Sequence, residues 1–391
     1  MIGTTMRVNR IAFVVVAVSA LALGGCSYLP TAFGGSVAKP NLPAAAGAVA
    51  VTPAWSVSLG GSQLAALLPA IADGKVYAAH QDGTLIVVDE KTGAQNSRWS
   101  LPQGAGRVSG GVGVGSGLVV VSTQKAEVFA FDSASVSGAP KWRVRIPTES
   151  IVPAAIADGV VVVPMIDGNI VGLDATTGAR KWTVQRQIPS LTVRAGSVPL
   201  ATRGGVFIGT PTGRMLAVDL ATGAIGWEAT VANPKGASEL ERLIDVAGRP
   251  SVDAERACAS AYQGRVACFD VQRGTPLWSR DIGSISGTVL DEKHVYVTDD
   301  KGVAYALDRA TGGTMWKQEL LATRVATAVA LVGGNYLVLD NEGNVHSLDK
   351  ATGRIVGRTL GSTKVVGGFT QGNGFAYAIT AAGQLVAFGA R

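Results

Sequence analysis

Along most of the chain, short apolar runs are separated by polar turns. In the clearest copy, Val160–Met165 is followed by the Asp167-Gly168 pair, a second run Ile170–Leu173, a polar turn from Asp174 to Gly178, and a third run Lys181–Val184 around Trp182. Runs this short, bounded by Asp and Gly, predict strands rather than helices. A fourth strand comes from the apolar stretch Ser150–Ala157 that precedes the unit.

The pattern repeats. Its Asp recurs at Asp89, Asp132, Asp174, Asp219, Asp270, Asp308 and Asp349, spaced 38 to 51 residues apart. Gly follows four positions later in six copies (Gly93, Gly178, Gly223, Gly274, Gly312, Gly353), and Trp follows at +8 or +10 in six (Trp99, Trp142, Trp182, Trp227, Trp278, Trp316). A second glycine stands six residues before the Asp in six copies: Gly83, Gly168, Gly213, Gly264, Gly302 and Gly343. That glycine closes a tight hairpin, the Asp carboxylate caps the next turn, and the Trp is large enough to wedge between neighbouring units. Four short strands in about 40 residues predict one blade of a propeller.

The two ends complete each other. Val51–Leu59 carries Trp55 and reads as the outer strand of a blade whose other strands are missing, while Gly374–Thr380 and Leu385–Phe388 supply strands that lack one. The prediction is therefore an all-β, eight-bladed β-propeller of four-stranded antiparallel blades over residues 54–391, closed by strands from both termini. Such closure leaves no exposed sheet edge at the junction.

Before the propeller, residues 1–25 hold Arg7, Arg10, no acidic residue and the apolar run Ile11–Leu23, which is the layout of a secretory signal. It ends in Leu23-Gly24-Gly25-Cys26. That sequence resembles a lipobox, which makes Cys26 the expected lipidation site. Ser27 follows rather than Asp, which in bacterial lipoproteins implies export to the outer membrane. Residues 26–53 read as the lipidated N-terminus and a flexible tether rich in Ala, Gly and Pro, with a typical reach of roughly 30 Å.

Removal of Arg7 and Arg10 lowers the formal charge from +6 to +4. The basic residues form no run and are not interleaved with aromatics, so nucleic acid is not expected as a partner. The three histidines, His80, His294 and His346, fall in separate blades, and no metal-ligand spacing, nucleophile elbow or phosphate loop is present. Cys258 and Cys268 flank the Gln263-Gly264 turn. A two-residue turn sets Cys258 opposite Phe269, whereas a three-residue loop sets the cysteines opposite each other, where a disulfide is possible in an oxidising compartment.

Two insertions break the rhythm, Arg186–Pro199 and Asn233–Pro250. Both lie between a Trp strand and the next blade's first strand, so both are expected on one face of the disk.

The unit from Ala217 through Asp219 and Gly223 to Trp227 resembles the blade motif of the quinoprotein alcohol dehydrogenase-like propellers. Enzymes of that superfamily hold pyrroloquinoline quinone under a disulfide of two adjacent cysteines, with a calcium ion and an Asp base. This chain has no adjacent cysteine pair, so no cofactor, no metal and no enzyme activity are expected.

The lipobox, the segment Pro189-Ser-Leu191-Thr-Val193-Arg194 and the segment Glu241-Arg242-Leu243-Ile-Asp245-Val246 are together similar to the BamB-type outer-membrane protein assembly lipoproteins, propeller subunits of the β-barrel assembly machinery. That resemblance implies a non-catalytic, outer-membrane-anchored scaffold facing the periplasm, a monomer within a hetero-complex. It implies docking on the POTRA domains of the central barrel subunit, through Leu191, Val193, Arg194 and Asp245, with Arg242 and Leu243 shaping the loop. The family often has a second acidic residue two after Asp245, where this chain has Ala247. The alternative is a periplasmic propeller that binds a small ligand or envelope polymer in its central channel.

Overall fold

Each repeat forms one antiparallel sheet whose first strand faces a central axis and whose last strand carries the Trp, and eight such sheets make a ring. The computed structural model describes residues 49–135, 138–202, 204–359 and 364–389, and contains no helix among them. The signal segment 1–25, Cys26 and the tether as far as residue 48 lie outside the described residues.

The third blade has strands Ala155–Ala157, Val160–Pro164, Ile170–Asp174 and Arg180–Val184, in that order across the sheet. Its middle strands are buried on both faces, with Val160, Val161, Val162 and Val163 each at most 1% exposed. Double-sided burial explains why these runs are continuously apolar instead of alternating.

The eighth blade joins the two ends of the chain. Val365–Gly372, Phe375–Thr380 and Gln384–Gly389 are completed by Trp55–Ser58, with Trp55 opposite Ala387 and Ser58 opposite Gln384. Beside that seam, Glu90 of the first blade is 3% exposed and accepts Asn373 Nδ2 at 3.0 and 2.8 Å on its two oxygens, and the Tyr377 hydroxyl at 3.2 Å. The seventh blade departs from four strands. Val49–Ala50, within the stretch expected to be tether, runs parallel to its outer strand, Val49 opposite Gly357.

The motif residues join one blade to the next. In six seams the Trp indole N–H donates to the carbonyl just after the next blade's Asp: Trp55 to Glu90, Trp142 to Ala175, Trp182 to Leu220, Trp227 to Val271, Trp278 to Arg309 and Trp316 to Lys350, at 2.8–3.1 Å. The same indole lies on that blade's turn glycine. A Cβ at Gly223 would stand 2.7 Å from the Trp182 ring, and φ there is +75°, so only glycine fits. Within the turn, Asp174 Oδ1 accepts the N–H groups of Thr176 and Thr177 and the Thr177 hydroxyl, at 2.9–3.0 Å, which holds its carboxyl below the usual range.

Two seams lack this staple. The Asp132 copy has no glycine at +4, and Trp99 Nε1, which faces that blade, has no hydrogen-bond partner among the described residues; its ring meets Phe131 edge-on at 5.8 Å. The seventh blade carries Gly357 where its Trp would be.

One hairpin departs from expectation. At the Gln263-Gly264 turn the left-handed residue is Gln263, with φ +48°, and not Gly264. Gly264 serves close approach instead, since a Cβ there would stand 2.7 Å from Ala232 Cβ. The loop between Ala261 and Arg265 has three residues, which sets Cys258 directly opposite Cys268, and in the structure their sulfurs are bonded with Cα atoms 4.0 Å apart.

Candidate docking face

Strand order puts all loops from an outer strand to the next inner strand on one face, together with the hairpins between second and third strands. Five large apolar side chains are exposed there: Leu64, Ile166, Leu191, Leu240 and Leu320, from 37% to 81%. Three of them belong to the third blade and the two insertions.

The insertions are tied together. Val193 N–H donates to Asp245 Oδ2 at 2.8 Å, Gly248 N–H to the Gly196 carbonyl at 3.1 Å, and Val198 N–H to the Gly248 carbonyl at 3.0 Å. Leu191 is half exposed, Arg194 projects with φ +55° and pairs with Glu149 at 3.5 Å, and Val193 is partly buried between them. On the second loop Arg242 is exposed, Leu243 partly buried and Asp245 buried.

The burial of Asp245 corrects the expectation that it is an exposed loop residue. Val246 passes beneath Gly209, donating its N–H to the Thr210 carbonyl at 3.0 Å, and this draws Asp245 inward to 5% exposure. Burial lifts its carboxyl pKa to about 6 against the Val193 hydrogen bond, which lowers it. Oδ1 has no hydrogen-bond partner among the described residues, and the carboxyl borders a cavity of about 80 Å³ shared with Met165, Ile166 and Arg194. Ala247 is buried as well, so an acidic side chain there would not stand on the open surface.

Sequence reasoning missed the pairing of Ser238 with Glu241. Ser238 N–H donates to Glu241 Oε2 at 3.0 Å while Glu241 N–H donates to Ser238 Oγ at 3.3 Å, a reciprocal cap on one turn that presents Leu240. The Ser-x-x-Glu spacing was the available signal.

Elsewhere, His80 is buried with Nε2 at 3.2 Å from the Ser62 carbonyl, and His346 is buried with Nε2 at 2.9 Å from Asp340 Oδ2. No group of three metal-ligating side chains occurs among the described residues.

The fold and the repeats define an eight-bladed propeller whose distinctive surface is a loop face. The quinohemoprotein alcohol dehydrogenase of Comamonas testosteroni matches it with a TM-score of 0.66 at 14% identity, covering 87% of this chain and 77% of that one, a likeness of fold alone. Residues 95–318 and 300–391 match the family model described as outer membrane protein assembly factor BamB. The outer membrane protein assembly factor BamB of Bordetella pertussis is 38% identical over 88% of this chain and 88% of its own length. The crystal structure of BamB from Moraxella catarrhalis superposes with a TM-score of 0.77 at 28% identity, covering 87% of this chain and 99% of that one. The chain belongs to the BamB family of outer membrane protein assembly factors, and so stands with non-catalytic proteins rather than with the dehydrogenases.

Proposed function

We propose that this chain is a non-catalytic scaffold of the outer-membrane β-barrel assembly machinery, docking on the POTRA domains of the central barrel subunit through its two insertions. Membership of the family of outer membrane protein assembly factors supports the coarse part of this reading. The observation that carries the finer part is the Val193–Asp245 hydrogen bond, which fixes the two insertions as one surface before any partner arrives. Pre-organisation of this kind spares the ordering cost of binding.

Roles within the site follow from exposure. Leu191 supplies an apolar anchor, Arg194 a solvent-facing cation, and Arg242 and Leu243 the rim and support of the second loop. Asp245, itself buried, acts by holding Val193 in place. A buried carboxylate with one unsatisfied oxygen is costly, and groups kept at such cost concentrate at functional sites.

Residues 1–25 are then the lipoprotein signal, Cys26 the lipidated residue, and the following segment the tether that holds a monomeric propeller at the periplasmic side of the outer membrane, within a hetero-complex. The Cys258–Cys268 disulfide suits that oxidising compartment. The test is co-purification from solubilised membranes: wild type should recover the large barrel subunit, and a variant carrying Leu191→Ala and Arg194→Ala should not. Equal recovery by both would remove the docking assignment.

A further inference from the structure

The inner strands of the ring enclose a central cavity of about 500 Å³, continued by about 310 Å³ towards the opposite face. Arg249 lines both parts, and every other residue lining them is apolar or uncharged. Its position is rigid. Gly248 has φ +69° and its two hydrogen bonds to the fourth blade, and Thr288 N–H of the sixth blade donates to the Arg249 carbonyl at 3.2 Å.

The guanidinium meets no counter-ion among the described residues, and the side chain is exposed to the solvent that fills the cavity. As the one charged side chain lining the two cavities, it is free to pair with an anion, and its planar fork of donors matches a carboxylate.

We propose that the central channel binds an organic carboxylate carried on an apolar body. Arg249 takes the carboxylate in a bidentate pair, while Leu68, Val198, Leu200 and Phe369, which line both parts of the cavity, receive the apolar portion. The volume falls within the few hundred to about 1,000 Å³ usual for small-ligand sites. Gly196 borders both this cavity and the small one beside Asp245, so the channel adjoins the docking face. Two sources carry this chemistry, a free fatty acid and the C-terminal carboxylate of a polypeptide with apolar last residues. The inference does not rest on the docking reading.

The test is calorimetric titration of the full chain in lipid nanodiscs, with empty nanodiscs subtracted. The probes are octanoate against 1-octanol, and an acetylated Leu-Phe dipeptide as free acid against its amide. At least one acid should bind, its uncharged counterpart about tenfold or more weaker; Arg249→Gln should weaken the acid at least about tenfold, and Arg249→Lys should retain most of the affinity. Octanoate alone binding identifies a fatty acid, and the dipeptide acid alone identifies a chain end. Absence of binding by either acid, equal binding by acid and neutral probe, or full affinity in folded Arg249→Gln overturns the proposal. Should Arg249→Gln fail to fold, the acid-against-neutral comparison on wild type and the Arg249→Lys titration decide it.

Discussion

Replacing Asp245 by Asn separates what this residue does for docking from what it does to the fold. A carboxyl whose folded pKa of about 6 lies above its unfolded value of 3.8 holds its proton more tightly when folded, so its ionisation opposes folding. That penalty is fully present above about pH 6, shrinks as pH falls through the folded pKa, and is gone below the unfolded one. The interval of about two pKa units corresponds to roughly 3 kcal/mol, at 1.36 kcal/mol per unit. The Asn amide oxygen still accepts the Val193 N–H and carries no charge. Asp245→Asn is therefore expected to be more stable than wild type at about pH 7.5, by roughly 1–3 kcal/mol, and to converge with it near pH 4.

Urea unfolding of both proteins across this range reads the difference directly, because the other titrating groups are shared and cancel. A difference that stays constant from about pH 4 to pH 8 would refute a buried, ionised Asp245. The same substitution is expected to weaken POTRA binding about tenfold or more, since a neutral amide replaces a charge held just beneath the docking face. A variant that folds better and binds worse identifies a group retained for binding.

Three further outcomes are expected. Leu191→Ala should weaken POTRA binding by about 2 kcal/mol, roughly thirtyfold in a titration, with the unfolding midpoint unchanged. Glu90→Ala should lower stability to urea by on the order of 1–3 kcal/mol, because it leaves Asn373 Nδ2 without its partner and Tyr377 with the Glu90 carbonyl alone at the ring closure; an unchanged midpoint would argue against a ring sealed there. Cys26→Ala should move the protein from the membrane pellet to the soluble periplasmic fraction, and its retention after a high-salt wash would show that Cys26 is not the anchor.

The blade architecture was legible because each motif residue answers to local geometry. Asp caps a turn, Gly takes a left-handed φ, and Trp reaches a carbonyl about 35 residues away at a fixed place in the next repeat. Joining Trp55 to the C-terminal strands was readable for the same reason, since one end lacked what the other supplied. The docking loops were legible as insertions, but not the depth of Asp245, which depends on Val246 packing under Gly209, a long-range match with no local signature. Gln263 takes the left-handed conformation that glycine holds in hairpins of the same length such as those of Gly83 and Gly168, and Gly264 is kept for its close approach to Ala232, a contact between distant segments with no local signature. Arg249 reads as an ordinary turn residue between Gly248 and Pro250, and only ring closure reveals that it faces a channel otherwise lined by uncharged residues.

The seam between the seventh and eighth blades explains where the N-terminal segment lies. A staple needs a Trp on one blade and an Asp–Gly turn on the next, and this seam has neither: Gly357 replaces the Trp, and Gly389 stands where the eighth blade's Asp would be. The outer edge of every blade is open, and at the seventh, where no indole joins the blades, Val49–Ala50 pairs along it opposite Gly357 and Arg358. Val51 follows, donating its N–H to the Arg358 carbonyl at 3.1 Å and packing on the apolar cluster that the two blades share. The strand thus covers an edge that would otherwise be open to pairing with another chain.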